Sequence, residues 1–172
     1  MNSETKDFIK ELVNDIVSEY DIKIPIDNIA DVIKKMGGTI EERACFNELV
    51  EGTIQRIDNE HFVIAVAKHL NTSYKNYLIA AKLGHLFLHL GFGVDPSHWE
   101  SVPTNEFIRF KTLTQDYQAN EFAACLLLPE ELYLKKLKEY ENEDGINIHA
   151  VAKYFNVSLA EVIDRGKDLG YL

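Results

Sequence analysis

The segment of residues 74–91, YKNYLIAAKLGHLFLHLG, constrains the fold of this chain more than any other stretch. Apolar residues recur in it at helical spacing and further apolar residues fill the gaps, a pattern that predicts a helix buried on most of its sides. His85 and His89 lie four positions apart and are therefore expected to share one face of this helix. That geometry can bind a metal ion, although an isolated pair is more often one core histidine and one surface histidine.

The histidine pair has to be considered together with a second segment, residues 118–129 (QANEFAACLLLP). Together the two segments resemble the ImmA/IrrE family of zinc metallopeptidases, whose signature reads roughly I-A-H-E-L-G-H-x-x-L-H in one helix and E-A-N-x-F-A-A-x-L-L-x-P in the next. The matching positions are Ile79, Ala80, Leu83, Gly84, His85, Leu88 and His89 in the first motif, and Ala119, Asn120, Phe122, Ala123, Ala124, Leu126, Leu127 and Pro129 in the second. The resemblance implies an α+β, zincin-like metallopeptidase scaffold over nearly the whole chain.

The residues that carry the family's chemistry are the ones that differ. The resemblance places the first zinc histidine at Ala81, the catalytic glutamate at Lys82 and the third zinc ligand at Gln118, so that only His85 remains of the four. A zincin site needs three protein ligands and a metal-bound water that a carboxylate deprotonates. Alanine has no lone pair, an amide replaces a carboxylate poorly and a charged lysine is no base. We therefore expect no bound cofactor here, although zinc is the family's cofactor.

Lys82 brings a positive charge to this position. An ammonium group repels a metal cation rather than helping to bind it. Two interpretations of Lys82 stay open. Its ammonium fills the vacated cation position, with its charge held by an acid such as Glu121, or its side chain reaches solvent from the edge of the cleft.

Upstream of residue 70 the sequence predicts two helices and a small sheet. Residues 4–20 have helical periodicity, and Asp27 is the predicted N-cap of a second helix that Gly37-Gly38 ends. Alternating periodicity then predicts short strands at residues 39–40, 53–57 and 61–67. We expect a small antiparallel sheet packed on the central helix.

The predicted partner-binding cleft lies beside this sheet. The resemblance implies that an extended substrate is held along an edge strand, as in zincins, and this assigns Phe62 and Ile64 of the last strand to the cleft. Residues 93–105 contain two prolines and lack periodicity, so they are predicted to form an exposed loop, with Trp99 at the lip of the cleft. A sheet that only covers the helix core is the alternative.

The C-terminal region is predicted to be helical. Residues 1–144 are expected to form the metallopeptidase-like domain, and residues 145–172 a helix-turn-helix-like segment packed on it. In that segment Ser158 is the predicted cap of a last helix, with Val162, Ile163 and Leu169 facing inward. This helix carries few basic residues, which favours a packing or protein-contact surface over a DNA-reading one.

Composition narrows the functional classes. The 172 residues carry a formal net charge of −10, which disfavours nucleic-acid binding as the main activity. The N-terminus does not resemble a targeting peptide and no apolar run reaches membrane-spanning length, so we expect a cytoplasmic protein without membrane contact. Cys45 and Cys125 are expected to be free thiols, with Cys125 packed in the core.

Three functions remain open. The first is a catalytically degenerate, regulatory pseudo-protease that binds a helix-turn-helix repressor of phage or mobile-element type, the partner that the resemblance implies. The second is an active zinc-dependent protease that cleaves such a repressor and whose site residues were replaced deliberately. The third is an enzyme with a rearranged metal site on His85 and His89. Lysine is an uncommon engineered replacement for a catalytic glutamate, which favours the first.

Overall fold

The fold combines helices with two small sheets. The computed structural model describes residues 1–44, 51–104, 106–108, 110, 112–143 and 145–172. The helices are α1 (Ser3–Glu19), α2 (Ile29–Lys35), α3 (Thr72–His89), α4 (Pro96–Ser101), α5 (Leu113–Leu127), α6 (Glu130–Glu139), α7 (Ile148–Phe155) and α8 (Leu159–Asp168). The strands are β1 (Gly38–Arg43), β2 (Gly52–Arg56), β3 (Phe62–Ala67), β4 (Glu141–Asn142) and β5 (Gly145–Ile146). The predicted α+β class is confirmed.

Helix α3 lies at the centre, as its apolar sequence predicts. Asn71 caps its N-terminus, where Asn71 Oδ1 accepts a hydrogen bond of 2.9 Å from the Tyr74 backbone N–H. The helix packs along α5, and Gly84 makes the close approach possible. A Cβ atom at position 84 would lie 2.8 Å from Ala119 Cα, a distance that would force the two helices apart. The two helices that carry the family motifs are therefore in backbone contact.

The three-stranded sheet is mixed rather than antiparallel. Its strand order is β1-β3-β2, with β1 parallel and β2 antiparallel to β3. The prediction of an antiparallel sheet was therefore wrong for β1, which pairs with β3 and not with its neighbour in the chain. Every residue of β3 is buried, and a strand that is apolar on both faces takes the central position of a sheet.

This topology corrects the predicted partner-binding cleft. Phe62 and Ile64 are 1% and 0% exposed on the central strand, so neither side chain can contact a partner. Trp99 is 3% exposed and donates a hydrogen bond of 2.9 Å from its indole Nε1 to the Asn59 carbonyl oxygen. Its predicted place at the lip of the cleft was wrong, because the segment predicted as a loop contains α4 and turns Trp99 into the core.

The start of α4 has a local cause. Asp95 Oδ1 accepts a hydrogen bond of 3.1 Å from the His98 backbone N–H, and Pro96 occupies the first turn. A similar cap starts α2, but Asn28 and not the predicted Asp27 supplies it, through a hydrogen bond of 3.1 Å from the Ala30 N–H.

The C-terminal segment forms a helix-turn-helix. A left-handed residue, Asn156, ends α7, and Ser158 caps α8 in a capping box with Glu161. Val162 is buried as predicted, whereas Ile163 is exposed and its predicted inward position was wrong. Tyr133 of α6 donates a hydrogen bond of 2.7 Å to the Val162 carbonyl oxygen, which ties α8 to the rest of the fold. A domain boundary between residues 144 and 145 stays a prediction.

Two smaller expectations concern cysteines and membranes. Cys125 is a buried free thiol, as predicted, whereas Cys45 lies outside the described residues. Within the described part of the chain, every helix is too short or too polar to span a lipid bilayer.

Candidate functional site

The candidate site lies where the C-terminal half of α3 faces the N-terminal half of α5. Helix α3 contributes Lys82, His85 and His89, and α5 contributes Asp116 and Gln118. His85 is almost fully buried, while Lys82 and His89 are half-buried. The site is thus a partly desolvated cleft with a polar interior.

Four of these side chains form one continuous polar chain. His85 Nδ1 lies 3.0 Å from His89 Nδ1, and His89 Nε2 lies 3.0 Å from Gln118 Oε1. At the other end, His85 Nε2 lies 3.4 Å from Asp116 Oδ1. Both nitrogens of each imidazole therefore face a polar atom.

Burial keeps both imidazoles neutral. Burial, the largest cause, together with the charge of Lys82 and the neighbouring His89, lowers the pKa of His85 to about 3. Burial also lowers the pKa of His89, although the hydrogen bond with Gln118 and the charge of Asp116 oppose this. His85 and Asp116 lie within ion-pair distance, but a neutral His85 makes no ion pair at neutral pH.

The proton positions follow from neutrality, which gives each ring one N–H, together with the orientation of the Gln118 amide, whose Oε1 faces His89. Gln118 Oε1 accepts from His89 Nε2–H, which leaves His89 Nδ1 to accept from His85 Nδ1–H. His85 Nε2 then has only a lone pair, and this lone pair lies beside the Asp116 carboxylate. Two electron-rich groups in one place favour a cation between or beside them.

The ammonium of Lys82 supplies a positive charge at this place. Burial lowers the pKa of Lys82, while the charge of Asp116 raises it, so the two groups attract each other electrostatically. The sequence suggested that Glu121 is the acid that holds the charge of Lys82, and this prediction was wrong. Glu121 instead lies 3.2 Å from Arg165 Nη1 and 3.7 Å from Lys6 Nζ.

Sequence reasoning missed Asp116. The residue lies in the first turn of α5, two positions before Gln118, and falls outside the family motif. Its only sequence signal was an acid near the N-terminus of the second motif helix, where acids are common because they favour the helix dipole.

A short segment before α5 covers the cleft. We call residues 102–104, 106–108 and 110 the strap. The Ile108 backbone N–H donates a hydrogen bond of 2.7 Å to the Ile54 carbonyl oxygen, which forms an isolated antiparallel bridge with β2. The Phe110 ring stacks on the His85 imidazole, with centroids 3.7 Å apart and an interplanar angle of 11°.

Beside the strap an open cavity of about 730 Å³ is lined by His89, His98, Phe107, Phe110 and Gln115, among others. His98 does not point freely into it as a ligand, because its Nε2 lies 3.0 Å from the His89 carbonyl oxygen. The cavity leads from solvent to the polar chain.

The chain was compared with known proteins. The IrrE N-terminal-like domain of the peptidase M78 family matches residues 40–166, which is more than half of the chain. The chain belongs to this family. The resemblance to ImmA/IrrE proteins inferred from the two motifs is thereby confirmed.

Among solved structures, the IrrE-like chain is similar to a Mycobacterium tuberculosis transcriptional regulator. The TM-score is 0.60 at 16% sequence identity, and the match covers 94% of this chain and 50% of the regulator. The chain thus spans half the length of that protein, and identity at this level establishes a shared fold alone. A search among curated proteins finds no match.

The site of this IrrE-like domain does not fit the zinc ion that the family resemblance implies. Ala81 contributes a buried methyl group to the cleft, and Gln118 Oε1 and His89 Nε2 already contact each other. In the part of the chain that the structure describes, no three His, Cys, Asp or Glu side chains are grouped to hold a metal ion. Since the positive charge of Lys82 also lowers the pKa of His85, the side chains present match a hydrogen-bonded cluster rather than a metal centre.

Proposed function

We propose that this IrrE-like domain is a regulatory pseudo-protease with a zincin-like scaffold. It binds a helix-turn-helix repressor of phage or mobile-element type without cleaving it. The observation that carries the proposal is the polar chain from Gln118 through His89 and His85 to Asp116. Of the family's catalytic and ligand positions, His85 and Gln118 both contact His89, and the others carry Ala81 and Lys82, so in this proposal peptide hydrolysis lacks its base and its metal ligand set.

Lys82 acts in this proposal as a fixed internal cation. In the family the corresponding position carries the catalytic glutamate, opposite a divalent metal. Here the charge of Lys82 lies close enough to His85 and Asp116 to shift the pKa of His85 and to be shifted itself by Asp116. The positive charge of Lys82 thus opposes the negative charge of Asp116 in a cleft that, in this proposal, holds no metal ion.

The rearranged metal site on His85 and His89 has less support. The two Nδ1 atoms lie 3.0 Å apart, a hydrogen-bond distance, and His89 Nε2 is engaged by Gln118. A metal bound by both rings would have to break both contacts and tolerate Lys82 nearby. The active-protease alternative requires the restoration of three residues, Ala81, Lys82 and Gln118.

The choice of partner rests on charge and on the outer edge of β2, where Ile54 now pairs with Ile108. A net charge of −10 suits a basic DNA-binding protein, whose phosphate-contacting face an acidic surface attracts and covers. Because β3 is central, backbone pairing with a partner falls to the outer edge of β2, at Ile54, rather than to β3. We place this activity in the cytoplasm and away from membranes.

Direct DNA reading by the C-terminal helices has little support. Arg165, one of the two basic residues of α8, is 4% exposed and donates to Leu128 and Glu121. A buried guanidinium cannot contact a phosphate or a base edge.

The test is to mix the protein with a helix-turn-helix repressor of phage type, in the presence of zinc, and to analyse the mixture by size-exclusion chromatography and intact-mass spectrometry. We expect co-elution and an uncut repressor. The triple variant Ala81→His, Lys82→Glu and Gln118→Glu is the matched comparison, since it restores the family's ligand set and base. Single restorations are expected to be silent, because these groups act as a unit.

Cleavage of the repressor by the unmodified protein, abolished by a chelator and by His85→Ala, contradicts the proposal and supports an active protease. Separate elution of the two proteins contradicts the partner assignment and leaves the family assignment in place.

A further inference from the structure

The strap follows the edge of β2 much as an added peptide strand would. Its antiparallel bridge joins Ile108 to Ile54, and the Gln55 side-chain amide donates a hydrogen bond of 3.0 Å to the Thr104 carbonyl oxygen. Arg56 Nη1 donates a second one, of 2.9 Å, to the Val102 carbonyl oxygen. The strap therefore fills the edge at which strand addition would take place.

Two strap side chains, those of Ile108 and Phe110, pack against the hydrophobic core. Phe110 stacks on His85, which places an aromatic ring directly over the one histidine retained from the family's ligand set. The neighbouring Phe107 lies under the guanidinium of Arg43, 4.0 Å from its ring centroid.

The strap is held by few interactions. Between its described residues and β2 there is one backbone hydrogen bond, from Ile108, whereas β2 and β3 pair over five residues. Ile108 and Phe110 are half-buried, so their displacement exposes limited apolar surface. A partner segment that makes the same contacts and more backbone hydrogen bonds to β2 can therefore displace the strap.

We propose that the strap is an internal competitor for the partner-binding cleft. The segment of the partner that displaces it is extended and carries an aliphatic residue followed two positions later by an aromatic one. The aliphatic residue pairs with Ile54 in place of Ile108, and the aromatic residue stacks on His85 in place of Phe110. This inference rests on the proposed function for the nature of the partner, and on the strap contacts for the pattern of its binding segment.

The experiment uses a labelled, end-capped peptide with the sequence of residues 102–112, VPTNEFIRFKT, added to the full-length protein. Its affinity is measured by fluorescence anisotropy for the unmodified protein and for Phe110→Ala and Ile108→Pro. The first variant loses the stacked ring and the second loses the N–H that bonds to Ile54. We expect each variant to bind the peptide about two- to tenfold more tightly than the unmodified protein, the range that one aromatic pair supplies.

Three controls make the result specific. Phe110→Tyr keeps the ring and is expected to behave as the unmodified protein, as is Val94→Ala, which removes a similar exposed apolar side chain away from the strap. A peptide in which the residue corresponding to Phe110 is alanine is expected to bind all proteins weakly. Circular dichroism establishes that each variant is folded.

Equal peptide affinity for the unmodified protein, Phe110→Ala and Ile108→Pro overturns the inference. Repeating the titration with the repressor separates it from the proposed function. If no protein binds the repressor while the peptide result holds, the proposed function fails and the strap inference stands. If all variants bind the repressor equally, the strap does not compete with it and the inference fails.

Discussion

His85 Nδ1 lies 3.0 Å from His89 Nδ1, so the histidine for which the family resemblance implies a role in zinc binding is a hydrogen-bond partner of another histidine. Phe110 covers one face of the same ring. The imidazole is thereby fixed in position by contacts within the chain, without need of a metal.

The interaction of Lys82 with His85 can be measured directly. Because the positive charge of Lys82 lowers the pKa of His85, we expect Lys82→Met to raise that pKa towards its ordinary value. Titration of the His85 ring protons by NMR measures the shift. Lys75→Met, which removes a lysine that pairs with Glu42 outside the cleft, is the control. An unchanged His85 pKa in Lys82→Met would show that the ammonium lies elsewhere.

Acid should destabilise the protein through His85. The folded pKa, about 3, lies below the ordinary value of 6.5, so the unfolded chain takes up the proton first as the pH falls. The stabilisation is complete above the unfolded pKa and is lost progressively below it. Between about pH 7.5 and about pH 5.5, urea unfolding should report a loss of about 1 kcal/mol from this one group.

The matched variant for this experiment is His85→Phe, which keeps an aromatic ring for stacking on Phe110 but cannot be protonated. We expect its unfolding free energy to depend less on pH over the same range. Replacement of the exposed His69 by glutamine should leave the dependence as in the unmodified protein. Identical slopes for His85→Phe and the unmodified protein would rule out His85 as the source.

The two motif helices could be predicted from sequence because their signals are local. The apolar pattern of residues 74–91 follows from short-range spacing, and α3 and α5 appear where expected. Strand pairing is harder to predict from sequence, because contacts between residues far apart in the chain determine whether β1 pairs with β2 or with β3. The alternating pattern predicted the strands but not that β1 would run parallel to β3.

The polar contacts of the site could not be predicted from the sequence either, because they also join residues that are far apart in the chain. Asp116 belongs to no motif, and only the packing of α5 on α3 brings it to His85. Glu121 lies on the same helix but points to Arg165 instead. The strap has no periodicity, so nothing in its sequence indicated that Phe110 would stack on His85.

The ion pair between Arg165 and Glu121 should matter for stability. Both side chains are nearly fully buried and lie 3.2 Å apart. Arg165→Met leaves a buried carboxylate without this partner, and breaking such a pair costs about 3 to 5 kcal/mol. We expect a value near the lower end, because Lys6 Nζ remains 3.7 Å from Glu121.

Urea unfolding measures this effect, with Lys167→Met as the control on the exposed side of α8. The double variant Arg165→Met with Glu121→Gln should recover part of the lost stability, because no buried charge is then left unpaired. A double variant that is less stable than Arg165→Met alone would mean that the carboxylate has other important partners.

The proposed binding of a repressor by this domain should not need a metal ion. Isothermal titration calorimetry with a helix-turn-helix repressor of phage type tests this, in parallel samples with excess chelator and with added zinc. We expect the same affinity in both samples, and a weaker affinity as salt is added, because opposite charges attract the two proteins. Binding that disappears with the chelator and returns with zinc would contradict it.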